Sequence, residues 1–319
     1  MLKLSVLVPV YNLAVFIEPC LHSLLSQQTN FSYEVIAVDD GSSDDSYRRM
    51  QALTAVYPHL LVLQNAQNSG LAYTQQHLLK RARGEYLVYV DGDDLALPGK
   101  LQTLADYLDT HPDCSLCYHE AEVFDSDTNK ILRHYSRDFY NAKYIPQRAS
   151  YEHLIRYGCF PNASSIAFRR HEHLTDAVDS KCKIILDHPW HILNALYGGG
   201  SVDFVAGVFG RYRIHSNSFG SQTKRSAARR EQVLEDQLRA CDNAKAFGVS
   251  EEVITAGKRH YYFATALYFL KLRDDERFQR FINLSTDGDW FFDARHQLAW
   301  RQQLTPSIVA GSLLGALPS

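Results

Sequence analysis

No run of about 18 or more consecutive apolar residues occurs in the 319-residue chain. The best candidate, residues 191–209, is broken by three consecutive glycines and by Asp203, so a membrane-spanning helix is not expected. The opening MLKLSVLVPVYN lacks the basic head and small-residue cleavage site of a secretory leader. Six cysteines are too sparse for a disulfide scaffold. The CSLC at 114–117, with His119 close behind, has no second CxxC to complete a zinc site, so buried free thiols in a reducing, cytoplasmic setting are expected. Net charge is also scarce. With 33 Lys plus Arg against 36 Asp plus Glu, the formal charge of −3 offers no bulk attraction for nucleic acid. A local basic face or the weakly polar tail at 307–317 leaves peripheral contact with the inner face of the cell membrane open, although packing is the default for that tail. Oligomerisation is equally open. The GxGxxG and GxxxxGK[ST] phosphate loops are missing as well, which lowers hydride transfer and ATP hydrolysis in rank.

What is present is a regular alternation of periods. Leu4–Val10, 34–38, 60–63 and 86–90 are short apolar strands. Between them lie helices, the first with an inner stripe of Phe16, Ile17, Cys20, Leu21, Leu24 and Leu25, the second with Tyr47, Met50, Leu53 and Val56, the third over 71–82. Strands this apolar need cover on both faces, so an α/β fold with a mostly parallel sheet between helices is expected. Right-handed crossovers then bring the strand ends to one rim, with DDGSSDD (39–45) and DGDD (91–94) on it. Beyond a helix through Leu101–Leu108, strands are expected at 115–118 and 121–124, a hairpin partner at 130–134, a helix over 147–157 and a strand at 164–168. A helix at 187–197, with Pro189 in its first turn, precedes a strand pair around Gly207. Past residue 220 the pattern turns helical: 224–247, 251–272 and 278–284.

The acidic loops carry the chemistry. Three carboxylates within DGDD raise one another's pKa unless a cation or hydrogen bonds compensate, and their oxygens suit Mg²⁺ or Mn²⁺. Asp93 is the preferred direct ligand, with Asp91 contacting the ion, its water or a ribose; capping of a turn explains some of the same letters. Asp39 can accept the ring N–H of a uracil or thymine, while Gly41 permits a tight turn and Ser43 or Asp44 can cap the next helix.

Four blocks, LSVLVPVYN (4–12), VIAVDDGSSDDS (35–46), NSGLA (68–72) and GEYLVYVDGDD (84–94), resemble glycosyltransferase family 2 with the GT-A fold, of the non-processive type that builds bacterial surface polysaccharides. The resemblance implies a GT-A-like nucleotide-sugar-binding and catalytic domain over 1–220 and a C-terminal helical extension over 221–319. It also implies that Pro9 and Tyr11 flank the nucleotide, Asp39 reads its base, Gly70 borders the site, and Asp91 and Asp93 form a metal-dependent DxD element. Gln75 and Gln76 stand where the family commonly has Arg-Asn.

In similar enzymes an acidic residue before an aromatic helical stretch is the base, which the resemblance places at Asp187 of LDHPWHILNAL, with His188 the weaker rival. The segment YRIHSNSFG (212–220) resembles the family's YRxH end of the catalytic domain, making His215 a candidate for metal or diphosphate and Arg211 or Arg213 for phosphate. Residues 158–170 resemble an acceptor border, where Ser164 or Ser165 could bind sugar hydroxyls and Trp190, Tyr157 and Phe160 could stack on a ring, although such aromatics are more often core. The implied activity is metal-dependent, inverting transfer of a sugar from a nucleoside-diphosphate donor, UDP- or dTDP-linked, to a hydroxyl of a glycan or lipid-linked oligosaccharide. A sugar-phosphate nucleotidyltransferase would want a glycine-rich basic loop where this chain has VPVYNLAVF, and an inactive carbohydrate-binding scaffold would not need all four of Asp39, Asp91, Asp93 and Asp187.

Overall fold

The structure, a computed structural model, describes residues 2–314 except 217, 219–222, 224 and 225. The alternation of short strands and helices takes the form β1 Leu4–Val10, α1 Ile17–Leu25, β2 Tyr33–Asp39, α2 Ser46–Leu53, β3 Leu60–Gln64, α3 Leu71–Arg81 and β4 Tyr86–Tyr89. Next come β5 Leu95–Ala96, α4 Lys100–Thr110, β6 Cys114–Asp125, β7 Ile131–His134, β8 Arg148–Ala149, α5 Tyr151–Tyr157, β9 Ile166–Arg169, α6 Asp187–Gly198 and β10 Ser201–Ile214. Helices α7 Ala227–Asn243, α8 Glu251–Lys271, α9 Asp275–Leu284, α10 Ala294–Arg301 and α11 Pro306–Leu314 follow. The expected boundary at 220 and the last residues of the tail, 315–317, lie outside the described residues.

All the strands join one sheet in the order β3-β2-β1-β4-β9-β6-β10-β5, with β7 beside β6 and β8 beside β10. The sheet is mixed rather than mostly parallel. Pairings through β3-β2-β1-β4 and between β6 and β10 are parallel, but β9 enters antiparallel between β4 and β6, and β5, β7 and β8 are antiparallel edges. The apolar runs report burial on both faces, which a reversed strand satisfies as well as a parallel one. Alternate residues of β1 divide the core. Leu4, Val6, Val8 and Val10 pack with α1, α2 and α4, whereas Leu7 joins a layer built from α3, α5, α6 and the helices after residue 226. Those last helices therefore share a hydrophobic layer with the sheet, and Val309, Ala310 and Leu313 of α11 are buried in it.

Several local expectations change. Residues 114–125 form one strand, because Glu120 at its middle is buried with its carboxylate satisfied: it accepts the N–H groups of Ala121 (2.8 Å), Ser136 (2.9 Å) and Arg137 (2.8 Å). The strand pair expected around Gly207 is likewise one strand, β10, bulged between Val205 and Val208, and Gly207 has the positive φ of 125° there. Helix α5 starts at Tyr151 because Ser150 and His153 form a capping box while Arg148–Ala149 pairs with β10. Helix α2 ends at Leu53, leaving Val56 exposed. Pro189 does sit in the first turn of α6, where its missing N–H leaves no intrahelical bond unmade.

Candidate active site

The parallel strands β2, β1 and β4 end on the same rim. Their register makes Asp91, just past β4, level with Pro9 of β1, while Asp39 pairs with the next residue, Val10. Asp39 and Asp91 are thus separated by two strand spacings, about 10 Å. Pro9 is buried in β1, and Tyr11, immediately beyond it, is 46% exposed. The two acidic loops accordingly meet across the end of β1.

The first acidic loop is zipped to the turn after β1. Asn12, at a positive φ of 54°, donates its N–H to Ser42 Oγ (2.8 Å) and accepts from the Ser43 N–H (2.9 Å). The N–H groups of Leu13 and Ala14 donate to Ser46 Oγ (2.8 Å) and Asp44 Oδ2 (3.0 Å). Burial alone would raise the Asp44 carboxyl, but these bonds and those from Ser46 hold it below its usual range. Gly41, with φ of 65°, lies so close to residues 67 and 68 that a Cβ would stand 2.6 Å from the Asn68 nitrogen.

The adjacent carboxylates Asp39 and Asp40 divide their work. Buried Asp39 accepts from the Ser42 N–H (3.0 Å) and Gln64 Nε2 (3.1 Å) through Oδ2, and its buried Oδ1 has no partner among the described residues. Asp40 faces the neighbouring loop, taking Asn65 Nδ2 (2.7 Å), the Ser69 N–H (2.9 Å) and the Gly70 N–H (2.8 Å). Gly70, at φ of 86° ahead of α3, has open space where a Cβ would be. Sequence reasoning missed Asp40; the doubled DD was its only local signal. Gln75 is buried, with Nε2 3.5 Å from the Tyr89 hydroxyl, and Gln76 Nε2 reaches the Thr175 carbonyl. Neither amide supplies the charge of an Arg.

In DGDD the carboxylates separate by environment. Asp91 donates its N–H to Ser164 Oγ (2.9 Å), and burial first, then the Asp93 charge, push its carboxyl up to about 7, with Asp187 adding to the rise. Asp94 is buried behind the loop, accepting from Ser164 Oγ (2.5 Å) and the Arg213 N–H (2.8 Å). Burial also raises Asp94, with Asp93 and Asp91 contributing. Lys100 beneath it is fully buried, donates to the Ser164 carbonyl (2.5 Å), and is lowered by burial to about 8. Ser164 therefore anchors the acidic loop, and Ser165 bonds the Asn162 carbonyl (2.7 Å); the expectation that these serines bind sugar is corrected. At Gly92 a Cβ would meet the Pro9 carbonyl at 3.0 Å, so a side chain there would push the loop a few tenths of an ångström away from β1.

Asp93 points to the end of β10. Its Oδ2 is 3.1 Å from His215 Nε2, and both side chains remain partly exposed. Arg213 donates Nε to the Asp93 carbonyl (2.6 Å) and its guanidinium lies over Phe16 and Phe124. Arg211, in contrast, pairs with Glu122 (3.3 Å) and reaches the Asn129 carbonyl, so the two arginines are distinguished. Among the described residues no three or more His, Cys, Asp or Glu side chains form a ready metal cage. The O and N donors of Asp93 and His215 fit part of the coordination sphere of Mn²⁺ or Mg²⁺, leaving the other positions to ligand oxygens.

Asp187 opens α6, near enough for its charge to act on Asp91. Its Oδ1 accepts the His188 N–H (2.8 Å), its Oδ2 receives the Cys159 thiol (3.7 Å), and burial raises its carboxyl. His188 turns away, its Nε2 2.5 Å from the Tyr261 hydroxyl in α8, and burial lowers it to about 3. Trp190 packs edge-on against Tyr89 and Phe168, and Phe160 against Tyr118, so both belong to the core; Tyr157 stacks on Tyr144. Burial, and then the charges of Asp94, Asp91, Asp93 and Asp187, raise the Tyr212 phenol well above its usual range.

The Glycosyl transferase family 2 model matches residues 5–175, more than half of the chain, and the chain belongs to that family. Its similarity to an uncharacterized Mycobacterium tuberculosis protein is 29% identity over 214 residues, 65% of this chain and 57% of that one. The chain thus spans little more than half the length of that relative. It is 37% identical over 95 residues to a poly(ribitol-phosphate) beta-glucosyltransferase of Bacillus spizizenii, covering 29% of this chain and 15% of the other. The fold resembles S. aureus TarS 1–349 in complex with UDP (TM-score 0.56, 16% identity, 99% of this chain and 92% of that one). It also resembles the mannosyltransferase PcManGT from Pyrobaculum calidifontis in complex with GDP-Man and Mn²⁺ (TM-score 0.60, 16% identity, 98% and 87%). The GT-A-like architecture, with a mixed sheet and helical decorations, is common to them. No described helix is long and apolar enough to cross a membrane.

Proposed function

We propose that the protein transfers a sugar, with inversion, from a nucleoside-diphosphate donor to a hydroxyl of a glycan or lipid-linked acceptor, using Mn²⁺ or Mg²⁺. The observation that supports this reading is that Asp39 and the Asp91–Asp93 loop follow the parallel strands on either side of β1, with His215 against Asp93 and the charge of Asp187 acting on Asp91. Asp39, with its unpaired Oδ1, accepts the ring N–H of uracil or thymine; Pro9 and Tyr11 flank the nucleotide, and Gly70 leaves it room. Asp93, His215 and Asp91 hold the ion, and Arg213 adds positive charge near the diphosphate. When bound, the ion neutralises charge that develops on the departing diphosphate.

Asp187 takes the proton of the acceptor hydroxyl while that oxygen bonds to the anomeric carbon. The bond from that carbon to the diphosphate oxygen breaks on the opposite face, which inverts the centre. A carboxyl raised by burial suits this task better than one in water, because its basicity lies nearer that of the proton donor. Residues 1–220 form the catalytic unit and 221–319 a helical extension, and the enzyme works in the cytoplasm, with a peripheral contact at the inner membrane face where the acceptor is lipid-linked. Similarity to a poly(ribitol-phosphate) beta-glucosyltransferase supports a surface polymer as acceptor. The test is a screen of UDP-, dTDP- and GDP-sugars with each ion, read by ligand protection and by release of nucleoside diphosphate. Ion-dependent binding of one donor class supports the proposal; no nucleotide-sugar bound under any ion rejects it.

A further inference from the structure

The loop that leads into α6 is held by a helix of the C-terminal extension. Asp236 of α7 is 2% exposed, and both its oxygens are spent on that loop and its own helix. Oδ1 accepts the Lys183 N–H (3.1 Å) and Gln232 Nε2 (3.2 Å); Oδ2 accepts the N–H groups of Ile184 (2.7 Å) and Ile185 (3.0 Å). At the upstream end the polarity reverses: Asp179 of the loop accepts from Arg239 Nε (2.6 Å) and Asn243 Nδ2 (2.6 Å), one and two turns further along α7. Two residues past Ile185 stands Asp187, and His188 is tied to Tyr261 of α8.

A buried carboxylate is unfavourable unless its hydrogen bonds are complete, and backbone amides outside helix and sheet need an external acceptor. Asp236 meets both requirements at once, with three consecutive amides. Among the described residues, the Asp187 side chain is restrained by two contacts, the adjacent N–H of His188 and the thiol of Cys159. Its place relative to Asp91 is consequently set by where α6 begins, and that start is set by the clamp.

We infer that Asp236 is a positioning residue: through the amides of 183–185 it holds Asp187 at the distance from the donor site that transfer requires. This rests on Asp187 being the base. It gives the helices after residue 226 a role in turnover.

The test uses the full chain and the variants Asp236→Asn, Asp187→Asn and the double variant. UDP with Mn²⁺ is the binding probe, and release of UDP from UDP-glucose and UDP-N-acetylglucosamine, with water as acceptor, is the turnover probe. Asp236→Asn is expected to lower kcat by about 10-fold or more while UDP affinity stays within about 2-fold, and to change kcat by less than about 2-fold in the Asp187→Asn background. Hydrogen exchange should accelerate at 183–187. Wild-type kcat in folded Asp236→Asn, with Asp187→Asn impaired, overturns the inference alone. Multiplying effects in the double variant also overturn it, since Asp236 then acts independently of Asp187. Wild-type kcat in Asp187→Asn instead overturns the base assignment. Should Asp236→Asn fail to fold, Arg239→Met, which cuts the outer tie, decides: a smaller loss of kcat at unchanged UDP affinity supports the clamp, and no loss rejects it.

Discussion

His215 Nε2 lies 3.1 Å from Asp93 Oδ2, although 121 residues separate the two in the chain. Strand β10 achieves this by running parallel to β6 and offering its Arg213 N–H to Asp94, which fixes the strand end against the acidic loop. The same contact leaves both side chains partly exposed.

Replacing His215 with Ala should therefore weaken ion-assisted nucleotide binding by about 10-fold or more while leaving the melting temperature nearly unchanged. A Mn²⁺ titration in the presence of UDP reads the effect, and an unchanged curve removes His215 from the site.

Asp187→Asn should preserve donor affinity and lower kcat by about 10²–10⁴-fold, the usual range for loss of a general base. Single-turnover measurements separate chemistry from product release. Near-normal chemistry would rule out the base role.

Asp40→Ala should strip acceptors from Asn65, Ser69 and Gly70 together. The expected loss is about 2–4 kcal/mol of stability, read from the denaturant midpoint at constant m-value. Stability within about 0.5 kcal/mol of wild type would mean that the loop does not depend on this carboxylate.

Burial lowers His260 from 6.5 to about 3. The unfolded chain then binds a proton below about pH 6.5 that the folded chain refuses, so stability falls as pH drops through the window from 6.5 to 3. His188 and His191 act in the same direction. Asp91 acts oppositely, because its raised carboxyl gives stability that is lost as pH rises through about 7. Comparing His260→Gln with wild type cancels the other groups. The variant should lose less stability between pH 7.5 and 5, by about 2 kcal/mol, and parallel curves would contradict the assignment.

The rim of the candidate site was legible because its parts are local in the chain: apolar strands and the acidic loops directly after β2 and β4. What stayed hidden depends on which way a polar side chain turns once the sheet is closed. Ser164 resembles a sugar ligand in sequence yet faces inward to Asp94 and the Asp91 N–H. Asp40 and Asp236 are indistinguishable from solvent-facing acids until the backbone amides they accept are brought to them from elsewhere in the chain. Reversal of β9 carries no compositional mark, since a strand covered on both faces has the same letters in either direction.

Calorimetric titration of UDP and dTDP into the full chain, with and without Mn²⁺, most directly addresses whether Asp39 and the Asp91–Asp93 loop act as one donor site. Binding should require the ion, disappear in Asp93→Asn, and weaken in Asp39→Asn with a loss of preference for uracil or thymine over guanine. Affinity that is indifferent to the ion and to both substitutions would contradict the account.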